Sequence, residues 1–363
     1  MKRTDLWHHQ RTRQRLIQAA LVLCLLAFIA WLTHNTWTNL KSRGIQSGYD
    51  FLADNAGFDI GEHFLVAYDS ADPYWWAFLV GLLNTLKVSV VGLIFSSLLG
   101  LAVGLGRTSQ QALIRSCARA YVECIRNLPL LLQLLMWYVL LIEYLPSSET
   151  PYSWFGCIYL SQEGLALPQL MWHNDTAQTW MHLGLVWSQP FLDLEGIHTD
   201  LNLSPEFIAL TFALSLYTSA FIAENVRAAI QAIPQGQIEA ARSVGLSELQ
   251  VYRFVLLPQS IQMIRPPLTN QYLNLIKNSS LAVAIGYPDL VSIANTALNQ
   301  TGRALECISI LMAVYLILSL SVSWSMNQIK DKATLAQEKD LSQKRSPKIS
   351  TIKLASKEGG SAP

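Results

Sequence analysis

Charge is scarce in this chain: 14% of residues are charged, against 51% hydrophobic ones. The most telling gap lies between Asn127 and Val226, a hundred positions without one Lys or Arg. No glycine is followed directly by lysine, so the phosphate-cradling pattern G-x-x-x-x-G-K-[ST] is absent. The chain therefore carries no ATP-binding loop of that type and is not expected to be an enzyme. Five cysteines form no C-x-x-C and no Cys/His pair at metal spacing, so neither a disulfide framework nor a metal site is expected. No internal repeat is visible, which removes the usual mark of inverted-repeat secondary transporters. No loop pairs carboxylates or sets a nucleophile beside a base, so no catalytic residues are assigned and no cofactor is implied.

What the chain has instead is long apolar runs, near residues 16–33, 78–106, 122–145, 205–226, 266–286 and 303–325. Most approach the roughly 20 residues that cross a bilayer. The fifth is the most polar, holding Pro266, Pro267, Asn270, Gln271, Asn274 and Lys277. Eleven Trp and thirteen Tyr suit aromatic belts at the membrane interfaces. The expected fold is an all-α polytopic membrane protein of about six spans. Eight spans are the alternative, if residues 155–192 cross twice.

Basic residues set the orientation. Lys2, Arg3, Arg11, Arg13 and Arg15 keep the N-terminus in the cytoplasm. Arg107, Arg115 and Arg119 mark one cytoplasmic loop, and Arg227, Arg242 and Arg253 another. The stretch 146–204 lacks Lys and Arg and is expected outside. The first run resembles a signal peptide in its basic start, but no A-x-A site follows it, so an uncleaved anchor is expected. Both termini are then cytoplasmic. The tail 326–363, rich in Lys, Ser and Ala, is expected to be disordered.

Between the fourth and fifth runs lies a polar loop, residues 233–258. Glu239-Ala240-Ala241 is followed by Gly245, and after nine further residues by Val255-Leu256-Leu257-Pro258. Gln237 to Val244 predicts two helical turns, with Gly245 as a left-handed stop. Ser247-Glu248-Leu249-Gln250 fits a capping box that starts a second helix. The small Ala240 and Ala241 suit close approach by a partner. The bland alternative is an ordinary interfacial helix. Gly100-x-x-x-Gly104 favours close helix packing. Glu123/Arg126 and Glu224/Arg227 are each expected to form structural ion pairs at i, i+3. Lys277, in or near the fifth run, either faces a pathway with Asn278, Ser279, Ser280 and Asn270, or snorkels or pairs with Glu306.

The loop resembles the "EAA" coupling loop of ABC importer permeases, whose short helices dock into a cytoplasmic ATPase. The similarity extends to Gly81-Leu82-Leu83-Asn84-Thr85-Leu86, to Tyr121-Val122-Glu123 with Arg126-Asn127 and Pro129, and to Ala220–Arg227 and Ile233–Gln237. Pro267–Asn270 and Lys277–Ala282 continue it, so that residues 78–325 resemble the transmembrane domain of polar amino-acid ABC permeases. Val255 stands where isoleucine is usual, a conservative change. Residues 1–77, with a further span, and the insertion at 146–204 look like the subset serving broad-specificity L-amino-acid uptake. The resemblance implies a type I importer transmembrane domain in a bacterial inner membrane. It implies a homologous second permease, two ATPase subunits, an external amino-acid-binding protein and an L-amino-acid substrate, with no nucleic acid. It gives Glu239, Ala240, Ala241, Gly245, Leu257 and Pro258 to ATPase coupling. An ion-coupled secondary transporter is the alternative. It would want acidic groups at midplanes, whereas Glu143 and Glu224 lie near span ends.

Overall fold

The structure is a computed structural model that describes residues 10–42, 44, 47–173, 184–193, 196–198 and 201–345. Ten helices carry it: α1 (Gln10–Ser42), α2 (Tyr74–Arg107), α3 (Ala112–Asn127), α4 (Leu130–Tyr144), α5 (Pro205–Gln231), α6 (Gln235–Ser243), α7 (Glu248–Val251), α8 (Leu257–Asn278), α9 (Leu290–Thr301) and α10 (Ala304–Arg345). Four of them are each long and apolar enough to cross a membrane: Leu16–Asn39, Tyr74–Arg107, Pro205–Gln231 and Ala304–Gln328. Two bent pairs raise the number to as many as six, α3 with α4 at 102° and the α7–α8 run with α9 at 52°. The third apolar run is thus a short α4 set sharply across α3. Leu128-Pro129 breaks it, because a residue before proline is pushed out of the helical region.

The α2–α5 pair is the spine. Small residues permit it: a Cβ on Gly100 would lie 2.7 Å from the Ile222 side chain, and one on Gly104 2.6 Å from Val226. Lipid offers little hydrophobic drive between helices, so such close backbone approach supplies the packing. Val88, Leu134, Leu210, Leu214, Leu275 and Tyr287 fill the core between α2, α4, α5 and α8. Ser204 starts α5 by accepting the Phe207 amide at 3.1 Å, with Pro205 in the first turn. Asp289 does the same for α9, on the Ser292 amide at 2.8 Å.

Residues 48–73 form a strap over one end of this bundle. A short 3-10 turn, Asp50–Ala53, buries Phe51 with Ala56 and Ile60 against Tyr74, Phe78, Leu290 and Ile293. Backbone bonds from Ala56 to Asp72 (2.8 Å) and from Gly57 to Ser70 (2.9 Å) close it on itself. By contrast the candidate span of α1 is exposed along its whole length, and its Ile29, Leu32 and Trp37 share a cavity with Tyr49 and Leu305.

Two features differ from expectation. Within 146–204 the chain forms eight short strands, β1 (Tyr152–Trp154), β2 (Ile158–Ser161), β3 (Gly164–Leu167), β4 (Gln169–His173), β5 (Gly184–Ser188), β6 (Phe191–Asp193), β7 (Gly196–His198) and β8 (Leu201–Leu203). They make an antiparallel sheet of order β1-β2-β3-β8 and the hairpins β4-β5 and β6-β7. Runs of three to five residues cannot span a bilayer as helices, so the eight-span alternative fails for the described residues. The apolar residues there belong to strands, whose period of two was masked by their shortness. The tail also differs: α10 continues to Arg345, well past residue 326. Its Ala, Leu, Glu, Lys and Gln are strong helix formers on an already nucleated helix. Residues 346–363 lie outside the described residues, as does the basic start before Gln10.

Candidate coupling loop and polar face

The chain leaves α5 at Ala232 and turns directly into the polar loop. Pro234 precedes α6, which ends in a Schellman arrangement: the Gly245 amide donates to the Arg242 carbonyl (2.9 Å) and the Leu246 amide to Ala241 (3.3 Å). Gly245 sits at φ +85, left-handed backbone that L side chains rarely adopt. The Ser247 amide donates to Gln250 Oε1 at 2.8 Å, which starts α7 as the capping box predicts. Arg242 then clamps α6 to α7 across the turn, with Nε and Nη2 on the two Glu248 oxygens at 2.8 and 3.0 Å. Helix, glycine turn and helix are all where the sequence puts them.

Burial divides the loop into two faces. Ile233, Ala241, Val251 and Leu256 form a small core of their own. Ala241 is therefore turned inward at 7% exposed, and its small size seats α6 on that core instead of admitting a partner. Glu239, Ala240, Gly245, Leu257 and Pro258 are exposed. Val244 (80% exposed) and Leu249 (78%) flank the turn as bare apolar knobs. Leu257-Pro258 leads directly into the fifth apolar run. It opens α8, after one π-helical turn at Tyr252–Leu256 that absorbs the proline's missing amide.

Behind the loop, Glu224 of α5 gathers three arginines. Arg107 from α2 bonds it directly, Arg227 donates through Nε at 3.1 Å, and Arg126 from α3 stands at 4.0 Å. The Arg126 guanidinium also lies 4.9 Å from the Phe221 ring centre. The expected Glu224/Arg227 pair is present. The Glu123/Arg126 pair is not, because Arg126 turns to the half-buried carboxylate, where an ion pair is less screened than at the surface. Arg107, Arg242, Glu248 and Tyr252 line a cavity of about 780 Å³ between this cluster and the loop.

The second group of predicted residues lies on α8. Asn270, Asn274 and Lys277 are exposed and follow i, i+4, i+7, one face of the helix. Asn270 opens on a cavity of about 500 Å³ with Arg265, Ser323 and Asn327. Lys277 opens on another of about 420 Å³ with Ser280, Ile308 and Met312. Ser279 is buried, its hydroxyl on the Ile276 carbonyl at 2.7 Å, and Ser280 turns to the Lys277 carbonyl at 2.7 Å. Asn278 is half-buried. The structure thus aligns Asn270 with Lys277 but spends both serine hydroxyls on backbone. Lys277 makes no ion pair among the described residues. Glu306 instead accepts the Gly48 amide at 2.8 Å, so the Lys277/Glu306 pair is not formed.

One charged pair escaped the sequence reading. Lys87 in α2 meets Glu62 of the strap, each only 12% exposed. Its signal was available: Lys87 is the sole Lys or Arg between Arg43 and Arg107.

Comparison with known proteins agrees with this geometry. Residues 92–334 match the family model for the binding-protein-dependent transport system inner membrane component. The chain is 43% identical to the putative amino-acid ABC transporter permease protein YhdX of Escherichia coli (strain K12), over 87% of this chain and 92% of that protein. It is 37% identical to the general L-amino acid transport system permease protein AapQ of Rhizobium johnstonii, over 88% and 92%. Among solved structures, an amino acid ABC transporter crystallised with histidines superposes with a TM-score of 0.52 at 28% identity, over 71% of this chain and 95% of that one. The chain is therefore a member of the family of binding-protein-dependent transport system inner membrane components.

Proposed function

We propose that this chain is the membrane permease subunit of an ATP-driven importer of L-amino acids in a bacterial inner membrane, with both termini in the cytoplasm. The observation that carries the reading is the loop itself. A clamped helix–glycine–helix unit presents Val244, Leu249, Glu239 and Ala240 to solvent at the end of the spine helix. Bare apolar knobs on a rigid polar mount fit a cleft on a soluble partner. An ATPase subunit is that partner, since this chain has no ATP-binding loop of its own. Two ATPases, a second homologous permease and an external amino-acid-binding protein complete the assembly. The domains divide as 1–77, 78–325 and a cytoplasmic tail, with the sheet-bearing insertion outside. Amino acids as substrate follow from the relatives, whose names specify amino-acid transport.

ATP binding closes the ATPase pair, and the differential affinity of ATP for the two states supplies the bias. Each coupling loop moves with its ATPase and shifts α5 and α8, to which it is joined end to end. The exposed polar face Asn270, Asn274, Lys277 is costly against lipid. It faces the water-filled pathway or the second permease. The test is uptake of labelled amino acids into membrane vesicles. Uptake should be vanadate-sensitive and vanish when the ATPase gene is deleted. Uptake that follows an ion gradient and survives deletion would overturn the reading.

A further inference from the structure

The cavity of about 780 Å³ behind the coupling loop carries an excess of positive charge. Arg107, Arg115 and Arg242 line it, against one carboxylate, Glu248. Arg242 is committed to Glu248 across the α6–α7 turn, and Arg107 to Glu224. Glu224 is itself outnumbered, because Arg126 and Arg227 share it. Arg115, in the first turn of α3, makes no ion pair among the described residues, and its guanidinium donates to the Ser109 carbonyl at 3.3 Å. Side-chain amides of Gln110, Gln231 and Gln235 complete the wall. Two helices also begin there. Neither α3 nor the nine-residue α6 has a side-chain cap, and neither carries an acidic residue in its first turn. Their N-terminal amides add to the positive field.

Position in the membrane names the anion. Two candidate spans end at Arg107 and Gln231, and both residues lie on the cavity wall. In the proposed orientation this is the level of the cytoplasmic-leaflet headgroups. The α3 helix leaves at the same level, with Leu113 77% and Ile114 45% exposed beside Arg115. Bare apolar side chains next to a lone arginine at a span end suit a helix lying in the interface. Its apolar side meets acyl chains and its guanidinium meets phosphates. Arginine matches phosphate because its planar fork binds two oxygens at once. Basic pockets between spans on the cytoplasmic side take anionic headgroups in this way.

We infer that this cavity binds the phosphate headgroup of an anionic phospholipid, with Arg115 as its principal cation and Arg242 and Gln235 on the loop side. The headgroup bridges the α2–α3 turn to the coupling loop. Lipid composition then tunes how firmly the loop is held. That consequence rests on the reading of this chain as an ATPase-coupled permease, whereas the lipid site needs only the membrane.

Lipid binding is measured on the full-length chain in detergent micelles by native mass spectrometry, with phosphatidylglycerol and phosphatidylcholine as probes. The wild type should retain phosphatidylglycerol in preference to phosphatidylcholine. Arg115→Gln should weaken that binding about fivefold, the worth of one basic residue at a charged surface, and Arg115→Lys should restore most of it. Arg119→Gln removes the same charge from α3 but outside the cavity lining, and should bind like wild type. Equal weakening by Arg115→Gln and Arg119→Gln, or no preference for phosphatidylglycerol, overturns the site. Displacement of the lipid by inorganic phosphate would mark a free-phosphate site, and displacement by the bound ATPase a site for a protein carboxylate. Either result overturns the lipid assignment. In vesicles, phosphatidylglycerol should raise the ATPase rate of the complex more with the wild-type chain than with Arg115→Gln. No uptake of any amino acid in any lipid, with lipid binding intact, would sink the permease reading and leave the lipid site standing.

Discussion

At the scale of single residues, Gly245 carries the sharpest expectation. A Cβ there would meet nothing within 4 Å, so space is not the constraint. The constraint is φ +85, which costs an L residue about 1–2 kcal/mol. Gly245→Ala should therefore retain partial uptake. Gly245→Val, β-branched, should lose most of it while the protein inserts normally. Equal, wild-type uptake in both would show that the turn need not hold its shape. Lys277 tests the α8 face. Lys277→Met keeps length and removes charge, and the pathway reading expects assembly and basal ATPase to persist while apparent transport affinity falls. Unchanged transport kinetics would return Lys277 to a snorkelling role. Residues also show where sequence reasoning stopped. Gly245 was legible because one backbone conformation demands glycine. The inward turn of Ala241 was not, since burial depends on Ile233 and Leu256 folding back on it.

At the scale of elements, the α2–α5 pairing rests on glycines that leave no room. Gly100→Val would place its Cβ within 3 Å of Ile222 and of the Ser219 carbonyl. Overpacking of that kind costs about 1–3 kcal/mol. The variant should insert but melt earlier in detergent than wild type, and an unchanged melting temperature would mean that the helices do not pack as described. The insertion gives a second expectation. Cysteines at Ser153 on β1 and Ser188 on β5 should both react with an impermeant maleimide in intact spheroplasts. Labelling only after lysis would reverse the orientation. Long apolar helices such as α2 and α5 were plain in the sequence because a twenty-residue run has one common meaning in a membrane protein. The strands were not, as three to five residues carry too few periods to separate from loop. The 102° bend between α3 and α4 was hidden for another reason: Pro129 marks a break, but only packing on α5 sets its angle.

In the whole molecule, the two ends of the bundle carry different charged clusters. The strap and the Lys87–Glu62 pair cover one end of the bundle, and the Glu224 arginine cluster leads into the coupling loop at the other. The α2 helix touches both ends, with Lys87 on one and Arg107 on the other. The sequence made the coupling end legible, because its helix stops and caps are local. Lone charges such as Lys87 and Glu62 are 25 residues apart, and only folding shows that they meet. The central claim is that the α6–Gly245–α7 unit docks an ATPase. It is tested most directly by a single cysteine at Leu249, in a chain whose five native cysteines are replaced, joined to the ATPase by a short bis-maleimide in native membranes. Leu249→Cys should give a cross-linked product of this chain and the ATPase, weakened by ATP or vanadate as the interface moves, and Ser153→Cys should give none. No product from Leu249→Cys, or an equal one from Ser153→Cys, would contradict it.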